Sequence, residues 1–293
     1  MRMAKSIGEM LLGQKPLISV EFYPPKDEAG GQQIVEAARE LRREVQPDFV
    51  SITYGAGGTT RDRTWRYALA LREEHGFEVM PHLTCVGASR AELRELLTTY
   101  RDAGFRNIMA LRGDPPKGAA TFTAAPDGLA HASDLVRLIH DEFPEFCSGV
   151  AGYPEVHPEA PSAEEDLRHL KTKVEAGAAF VTTQLFYDNR TFLDWLARCR
   201  DYGISVPVLP GLMPARSAAQ ARRFCQHLPE ELEEALQQAA EDPVALETIG
   251  VDWTVRQIAD LMDHGLRAFH LYIMNRSSMA LRVVHQLRQL GRL

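Results

Sequence analysis

Charged side chains interrupt two apolar runs of this sequence that have the composition of buried strands. Glu21 lies inside the first run, and Arg112 and Asp114 end a later run that begins at Asn107. Burial raises the pKa of a carboxyl group, so Glu21 is a candidate general acid, although a buried ion pair with Arg112 is an equal alternative. Asp114 either caps the following turn or belongs to an active site.

Further polar residues occur where other apolar runs end. A polar side chain in such a run costs free energy unless it is paired or used, and a single example is usually a satisfied core residue. Here seven of the eight runs carry one at the same end, which favours a shared site. The additional candidates are Thr53, His82, Tyr153, His157, Gln184, Tyr272 and Arg276.

One predicted helix carries a polar stripe. Asp166, His169 and Lys173 share a helix face, and their spacing favours an exposed stripe with i,i+3 pairs. The alternative is a polar wall that binds the phosphate or ribose of a cofactor. Periodicity places Phe224 in the core. The paired metal-binding motifs HxH and HExxH are absent, so no metal is predicted.

The chain repeats a unit of strand, loop, helix and glycine. This alternation requires a parallel sheet, and eight units at this length predict an α/β fold of the (β/α)8 TIM barrel type. An open doubly wound sheet is the alternative, but Tyr23-Pro24-Pro25 replaces the dinucleotide fingerprint expected after the first strand. The predicted strands are Leu17–Phe22, Phe49–Tyr54, Val79–Cys85, Ile108–Leu111, Cys147–Tyr153, Phe180–Phe186, Val206–Leu212 and Phe269–Met274.

Several segments depart from the minimal unit. Gly55–Thr60 is expected to be a flexible loop close to a ligand, and Pro115–Ala130 a lid or cofactor loop. Pro229–Gly250 is an acidic insertion with an extra helix before the last unit, and it has no assigned role. Ser89 and Ser162 are predicted helix caps, the latter in a capping box with Glu165.

Composition narrows the functional classes. The net charge of −7 argues against non-specific nucleic-acid binding, and no apolar run is long enough to span a membrane. The four cysteines are scattered, and no signal peptide is evident at the N-terminus, so we expect a cytoplasmic protein. No linker divides the chain, so residues 1–293 are expected to form one catalytic barrel domain.

Seven motifs, in order along the chain, resemble those of the bacterial, single-domain methylenetetrahydrofolate reductases. They cover residues 20–25, 50–58, 81–85, 110–115, 153–158, 183–188 and 275–276. The resemblance implies a (β/α)8 barrel that binds FAD and transfers hydride from NADH or NADPH to 5,10-methylenetetrahydrofolate, giving 5-methyltetrahydrofolate. It also implies ping-pong turnover and a homo-oligomer.

The resemblance assigns roles residue by residue. Glu21 matches the general acid that protonates folate N10, and Asp114 the carboxylate near flavin and pterin. Gln184 matches a pterin-binding amide, Phe224 the aromatic that contacts nicotinamide and folate in turn, and Tyr272 and Arg276 lie on the substrate side. The expected flavin-binding positions are Thr53, His82, Arg112, Gly113, His131, Tyr153, His157, Asp166 and Lys173.

Two points leave alternatives open. His131 stands where relatives often carry a tyrosine against the flavin, so this position departs from the pattern of the family. The competing functions are a flavin barrel that oxidises an amino acid, as proline dehydrogenase does, and a barrel that binds flavin or pterin without turnover.

Overall fold

A computed structural model describes residues 5–54, 61–115, 118 and 122–293. Its strands are β1 Leu17–Phe22, β2 Phe49–Ile52, β3 Val79–Thr84, β4 Asn107–Leu111, β5 Cys147–Gly152, β6 Phe180–Thr183, β7 Val208–Leu209, β8 Gly211–Leu212 and β9 Ala268–Tyr272. Its helices are α1 Ile7–Leu11, α2 Glu28–Glu44, α3 Arg61–Glu73, α4 Arg90–Asp102, α5 Ala132–Glu142, α6 Ala163–Glu175, α7 Asn189–Asp201, α8 Ala218–Arg222, α9 Glu230–Gln238, α10 Pro243–Asp263 and α11 Ser278–Gln289. The predicted loop Gly55–Thr60 and part of Pro115–Ala130 lie outside the described residues.

All the strand pairs are parallel, and together they form the predicted (β/α)8 barrel. The order β7-β6-β5-β4-β3-β2-β1-β9-β8 closes on itself because β7 and β8 are two halves of the predicted seventh strand. Pro210 separates the halves and has no N–H to donate. Its carbonyl still accepts from the His270 N–H at 2.9 Å, so the strand pairs with β6 before the proline and with β9 after it.

The barrel interior is apolar at the bottom and polar towards the top. Seven inward-facing side chains form the bottom layer, one from each of seven strands, and Ile7 of α1 packs against them from below. Their identities are Leu17, Phe49, Met80, Met109, Phe180, Leu209 and Ala268. Above them come serine, histidine and glutamate residues, so the polar interior begins one layer up.

Helix ends follow the predicted chemistry with one exception. The sequence pattern predicts that a glycine closes each of five helices, and all five have positive φ, which a residue without Cβ adopts at no steric cost. They are Gly76, Gly104, Gly177, Gly203 and Gly265. Ser89 and Glu92 form a reciprocal capping box. Ser162 accepts from the Glu165 N–H, but the Glu165 carboxylate binds Arg168, so the second half of the predicted box is missing.

The acidic insertion forms α9 and the start of α10, which cover the loops after β6 and β8. Leu232 and Leu236 of α9 pack against Leu185 and Met213. Gly250 lies inside α10, and a Cβ there would come within 2.0 Å of the Ala215 carbonyl oxygen. The insertion thus buries the back of two loops at the top of the barrel. In the described part of the chain, none of the helices is long and apolar enough to cross a membrane.

Candidate active site

A cavity of about 490 Å³ opens at the C-terminal ends of the strands, where (β/α)8 enzymes place their active sites. Most of the predicted site residues line it; Phe224 follows helix α8, and the others come from seven of the eight barrel strands or the loops after them. The predicted residues in its wall are Glu21, Thr53, His82, Arg112, Gly113, Asp114, Tyr153, His157, Gln184, Phe224 and Tyr272. His131, Asp166, Lys173 and Arg276 lie outside this wall.

Glu21 is held by a cluster of polar side chains. Its Oε2 accepts a hydrogen bond from Ser51 Oγ at 3.2 Å. The same oxygen lies 3.3 Å from His82 Nε2 and 3.6 Å from His270 Nε2. Strand register explains the grouping, since Glu21 is paired with Ser51 on one side and with Tyr272 on the other. The alternative of an ion pair between Glu21 and Arg112 is not observed, since Arg112 pairs with Glu159.

His270 connects Glu21 to the next layer down. It is fully buried, and its Nδ1 lies 2.7 Å from Ser19 Oγ, which donates to the Phe269 carbonyl. Its Nε2 lies 3.3 Å from Ser51 Oγ, which donates to Glu21. Every donor in this chain finds an acceptor when His270 carries both ring protons and Glu21 is ionised.

The prediction that the pKa of Glu21 is raised is wrong, because burial is not the only effect on this carboxyl group. Burial does raise it, but the hydrogen bonds and positive charge of His270 and His82 outweigh burial and lower the pKa from 4.5 to about 2. Glu21 is therefore a carboxylate in contact with two imidazoles.

Arg112 finds its partner on a different loop. Its guanidinium donates to both carboxylate oxygens of Glu159, at 2.6 and 2.9 Å, in bidentate geometry. It also lies 5.0 Å from the ring centroid of Phe122. Gly113 follows with φ +89°, and a Cβ there would approach Val86 to 2.7 Å, so only glycine fits between Arg112 and the exposed Asp114.

Strand β5 and the loop after it contact the face of α6 that carries Asp166 and Lys173. The rings of Tyr153 and His157 meet edge to face, 4.5 Å between centroids. Asp166 accepts from the His157 backbone N–H, and Lys173 donates to the Ala151 carbonyl at 2.6 Å. Burial lowers the pKa of Lys173 to about 8 and raises that of Tyr153 to about 12. The interpretation of Asp166 and Lys173 as an exposed charge stripe is therefore wrong.

Phe224 is not a core residue, contrary to its periodicity, because the helix ends two residues before it. Its side chain is 37% exposed and reaches the cavity wall. Glu155 holds the segment that follows, accepting from the backbone N–H groups of Gln226 and His227 at 2.5 and 3.2 Å. The Gln226 side chain returns a hydrogen bond to the Val156 carbonyl.

The remaining predicted residues are placed at the rim or outside it. Gln184 is exposed, and its side-chain oxygen accepts from the Leu185 N–H. Tyr272 donates to the Thr183 carbonyl at 2.7 Å. His131 is exposed at the start of α5, where its backbone N–H donates to Asp134. Arg276 lies in a narrow cleft that adjoins the cavity.

Comparisons with known proteins agree with this geometry. Residues 6–288 match the family model described as methylenetetrahydrofolate reductase. The chain belongs to the methylenetetrahydrofolate reductase family. It is 37% identical to the 5,10-methylenetetrahydrofolate reductase of Salmonella typhimurium over 274 residues, covering 92% of this chain and 90% of that protein. The Escherichia coli enzyme is 36% identical with the same coverage.

The chain is also similar to a longer relative and, in fold, to a solved structure of low sequence identity. The chain is 36% identical to the Arabidopsis thaliana protein named methylenetetrahydrofolate reductase (NADH) 1, but covers 48% of it. A solved structure of an uncharacterized Clostridium thermocellum protein that binds two copies of 5-methyl-5,6,7,8-tetrahydrofolic acid superposes with a TM-score of 0.63. At 14% identity over 96% of this chain and 99% of that one, the likeness shows the fold.

As a methylenetetrahydrofolate reductase the chain is an oxidoreductase, and the structure adds residues that sequence reasoning missed. His270 and Ser51 contact Glu21, Thr84 lines the cavity, and Glu155 secures the segment after Phe224. The signal for His270 was present, since it is a polar residue between Phe269 and Leu271 in an apolar run. The sequence offers no signal for the contacts of Glu155, because its partners are the backbone N–H groups of Gln226 and His227, about 70 residues away.

Proposed function

We propose that this chain reduces 5,10-methylenetetrahydrofolate to 5-methyltetrahydrofolate, with NADH or NADPH as hydride donor and FAD as bound cofactor. The observation that carries the proposal is the Glu21 carboxylate at the centre of the cavity, in contact with His82 and connected to His270. Opening the five-membered ring of the folate requires a proton on N10, and this cluster is an acid placed to supply it.

The donor set of the cavity wall supports a flavin. Thr84 Oγ1 is buried and has no hydrogen-bond partner among the described residues, and His82 Nε2 is buried with an ionic contact to Glu21 at 3.3 Å. Such atoms suit the carbonyl and nitrogen edge of an isoalloxazine ring, whereas Arg112 in the wall, and Lys173 outside it, are cations suited to a diphosphate. The residues that would hold FAD are Thr53, His82, Arg112, Gly113, Tyr153, His157, Asp166 and Lys173. When bound, FAD accepts hydride from one substrate and gives it to the other.

The residues of this chain then handle the proton and the substrate. A proton moves from His82 or His270 to Glu21 and from Glu21 to folate N10, which a positioned acid accelerates by roughly 10²- to 10⁴-fold. The Asp114 carboxylate stabilises the iminium cation left by ring opening. Gln184 and Tyr272 bind the pterin side. Phe224, at the mouth of the cavity, packs against nicotinamide or folate. Because the two substrates occupy the same cavity one after the other, turnover follows ping-pong kinetics.

Separate half-reactions test the proposal. In a Glu21→Gln variant, anaerobic bleaching of the yellow enzyme by NAD(P)H is expected to stay near normal, since no proton to folate is involved. Recovery of the colour with methylenetetrahydrofolate is expected to slow by at least 10²-fold. Asp114→Asn is expected to slow the folate half-reaction as well.

Three results contradict the proposal in different ways. A colourless protein that takes up no FAD removes the flavin chemistry altogether. Equal losses in both half-reactions of Glu21→Gln make Glu21 structural. Bleaching by proline and not by reduced nicotinamide favours the amino-acid oxidising alternative. Assembly into a homo-oligomer and a cytoplasmic location stay predictions.

A further inference from the structure

A second pocket lies between α7, α9 and α10, and we call it the side pocket; its wall includes Tyr187, Trp253 and Gln257. Its volume of about 780 Å³ is in the range of small-molecule sites. Residues 225–229, which follow Phe224, form another part of the wall, whereas Phe224 itself lines the catalytic cavity. Among the described residues the two spaces have no lining residue in common, so the side pocket is a separate space.

Two buried polar side chains in the wall of the side pocket have an atom without a hydrogen-bond partner. Tyr187 is 1% exposed and Gln257 is 4% exposed, and neither the Tyr187 hydroxyl nor Gln257 Oε1 has a partner among the described residues. Gln257 Nε2 donates to the Phe186 carbonyl and to Asn189 Oδ1, which fixes the amide and leaves Oε1 as a free acceptor. Burial raises the pKa of Tyr187, so its hydroxyl stays neutral and can donate or accept. A buried polar group without a partner costs free energy, which a bound molecule recovers by bonding to it.

The charged groups of the wall determine which ligands the side pocket can accept. Arg222 is already paired with Glu233. Arg256 donates to Glu231 at 3.0 Å. Asp188, which caps α7, has no cation within 4 Å in the described part of the chain. The described wall therefore offers an anionic ligand no free guanidinium or ammonium group, and it offers a cationic ligand an unpaired carboxylate.

We propose that the side pocket is a ligand site, separate from the catalytic cavity, for a small planar nitrogen base that is neutral or positively charged. An N–H group of such a molecule donates to Gln257 Oε1, and a second polar group bonds to the Tyr187 hydroxyl. Its ring packs beside Trp253, whose indole N–H donates to the Tyr187 carbonyl at 3.1 Å. The inference does not rest on the proposed function, because it takes no substrate of the catalytic cavity as given.

The side pocket is connected to the catalytic cavity through residues 225–229. Glu155 already restrains this segment by accepting from the backbone N–H groups of Gln226 and His227. A molecule in the side pocket contacts the same segment and restrains it further, which fixes the position of Phe224. Occupancy is therefore expected to lower KM for the substrates by about fivefold, the lower end of ordinary couplings between two sites.

Benzamidine and benzoate are a matched pair of probes for the side pocket. Both are planar and similar in size, but benzamidine is a cationic N–H donor, whereas benzoate is an anionic acceptor. The NMR resonance of the Trp253 indole N–H reports binding in isotope-labelled protein, and those of Trp65 and Trp195 serve as references outside the pocket. Benzamidine is expected to shift the Trp253 resonance in a saturable titration, and benzoate is not. The shift should persist in excess 5-methyltetrahydrofolate, because the two spaces are separate.

Tyr187→Phe removes only the hydroxyl that has no partner. Since no hydrogen bond is lost in the free protein, its melting temperature is expected to stay the same or to rise. The Kd of benzamidine is expected to rise about two- to tenfold, as for the loss of one hydrogen bond. Tyr100→Phe is the matched control, because it removes the hydroxyl of another buried tyrosine, on α4 and outside the side pocket, and should leave the Kd unchanged.

Four results overturn the inference or part of it. A chain that binds neither probe has a side pocket that holds water only. Equal binding of benzoate removes the preference for a nitrogen base, and displacement of benzamidine by 5-methyltetrahydrofolate places the probe in the catalytic cavity. An unchanged KM at saturating benzamidine removes the connection through residues 225–229. The binding measurements need no turnover, so failure of the proposed function leaves their outcome intact.

Discussion

The charge state of Glu21 makes a prediction about stability that is independent of catalysis. Its pKa is about 2 in the folded chain, against 4.5 as the ordinary value. A carboxyl whose pKa is lower in the folded state stabilises that state above the ordinary pKa, and the contribution disappears as pH falls through the lowered value. The difference of about 2.5 between the two values corresponds to about 3 kcal/mol at neutral pH.

The assay is urea unfolding of the native chain and of Glu21→Gln at several pH values. At pH 7 the variant is expected to be less stable by about 3 kcal/mol, since it keeps the shape of the side chain and loses the charge. By pH 3 about 2 kcal/mol of that difference is expected to disappear, because the Glu21 carboxyl of the unfolded chain, with its ordinary pKa of 4.5, is then almost fully protonated.

A second carboxyl group, whose pKa is shifted in the opposite direction, serves as the control. Burial raises the pKa of Glu78, which accepts from the Lys5 N–H and from Asn107. Its folded state holds the proton more tightly, so the native chain should gain stability relative to Glu78→Gln as pH falls. A stability difference for Glu21→Gln that is the same at pH 7 and pH 3 would refute the assignment of an ionised carboxylate held by two histidines.

Two further predictions concern the parts that support the site. Gly250→Ala forces a Cβ to within 2.0 Å of a backbone carbonyl and is expected to destabilise the fold by about 2 kcal/mol in thermal unfolding. Gly31→Ala in α2, where the added Cβ meets only a tyrosine hydroxyl, should be near neutral, and equal effects would contradict the close contact. Glu155→Ala frees the segment after Phe224, so KM for both substrates should rise about tenfold. The control Glu164→Ala removes an exposed carboxylate on α6 and should leave KM unchanged. An unchanged KM in Glu155→Ala would show that the hydrogen bonds of Glu155 to the segment after Phe224 do not contribute to substrate binding.

The architecture was accessible from sequence because its signals are local. Alternating apolar runs, helical periodicity and closing glycines each act over a few residues, and all eight units are present. The break at Pro210 was readable in principle, since proline has no N–H, although its position between two different strand partners depends on closure of the barrel.

The site was predicted less completely because its contacts join distant parts of the chain. Glu21 was identified, but the sign of its pKa shift depends on His82 and His270, which lie on other strands. The sequence left an ion pair between Arg112 and Glu21 open as an alternative, and it does not indicate the actual partner of Arg112, because Glu159 comes from a loop 47 residues away. Periodicity places Phe224 in the core only if the helix continues through it, but the helix ends at Arg222.

The apolar floor of the barrel has a consequence for how protons travel. The ring of Phe49 lies below His270, with 6.2 Å between the centroids, and α1 closes the base beneath this layer. In the described part of the chain, apolar side chains close the base of the barrel, so the Glu21 cluster faces the cavity at the C-terminal ends of the strands. Under the proposed function, each reduction of the folate takes up one proton, which has to enter by the cavity that admits the substrates. In that case proton uptake and product departure share one route.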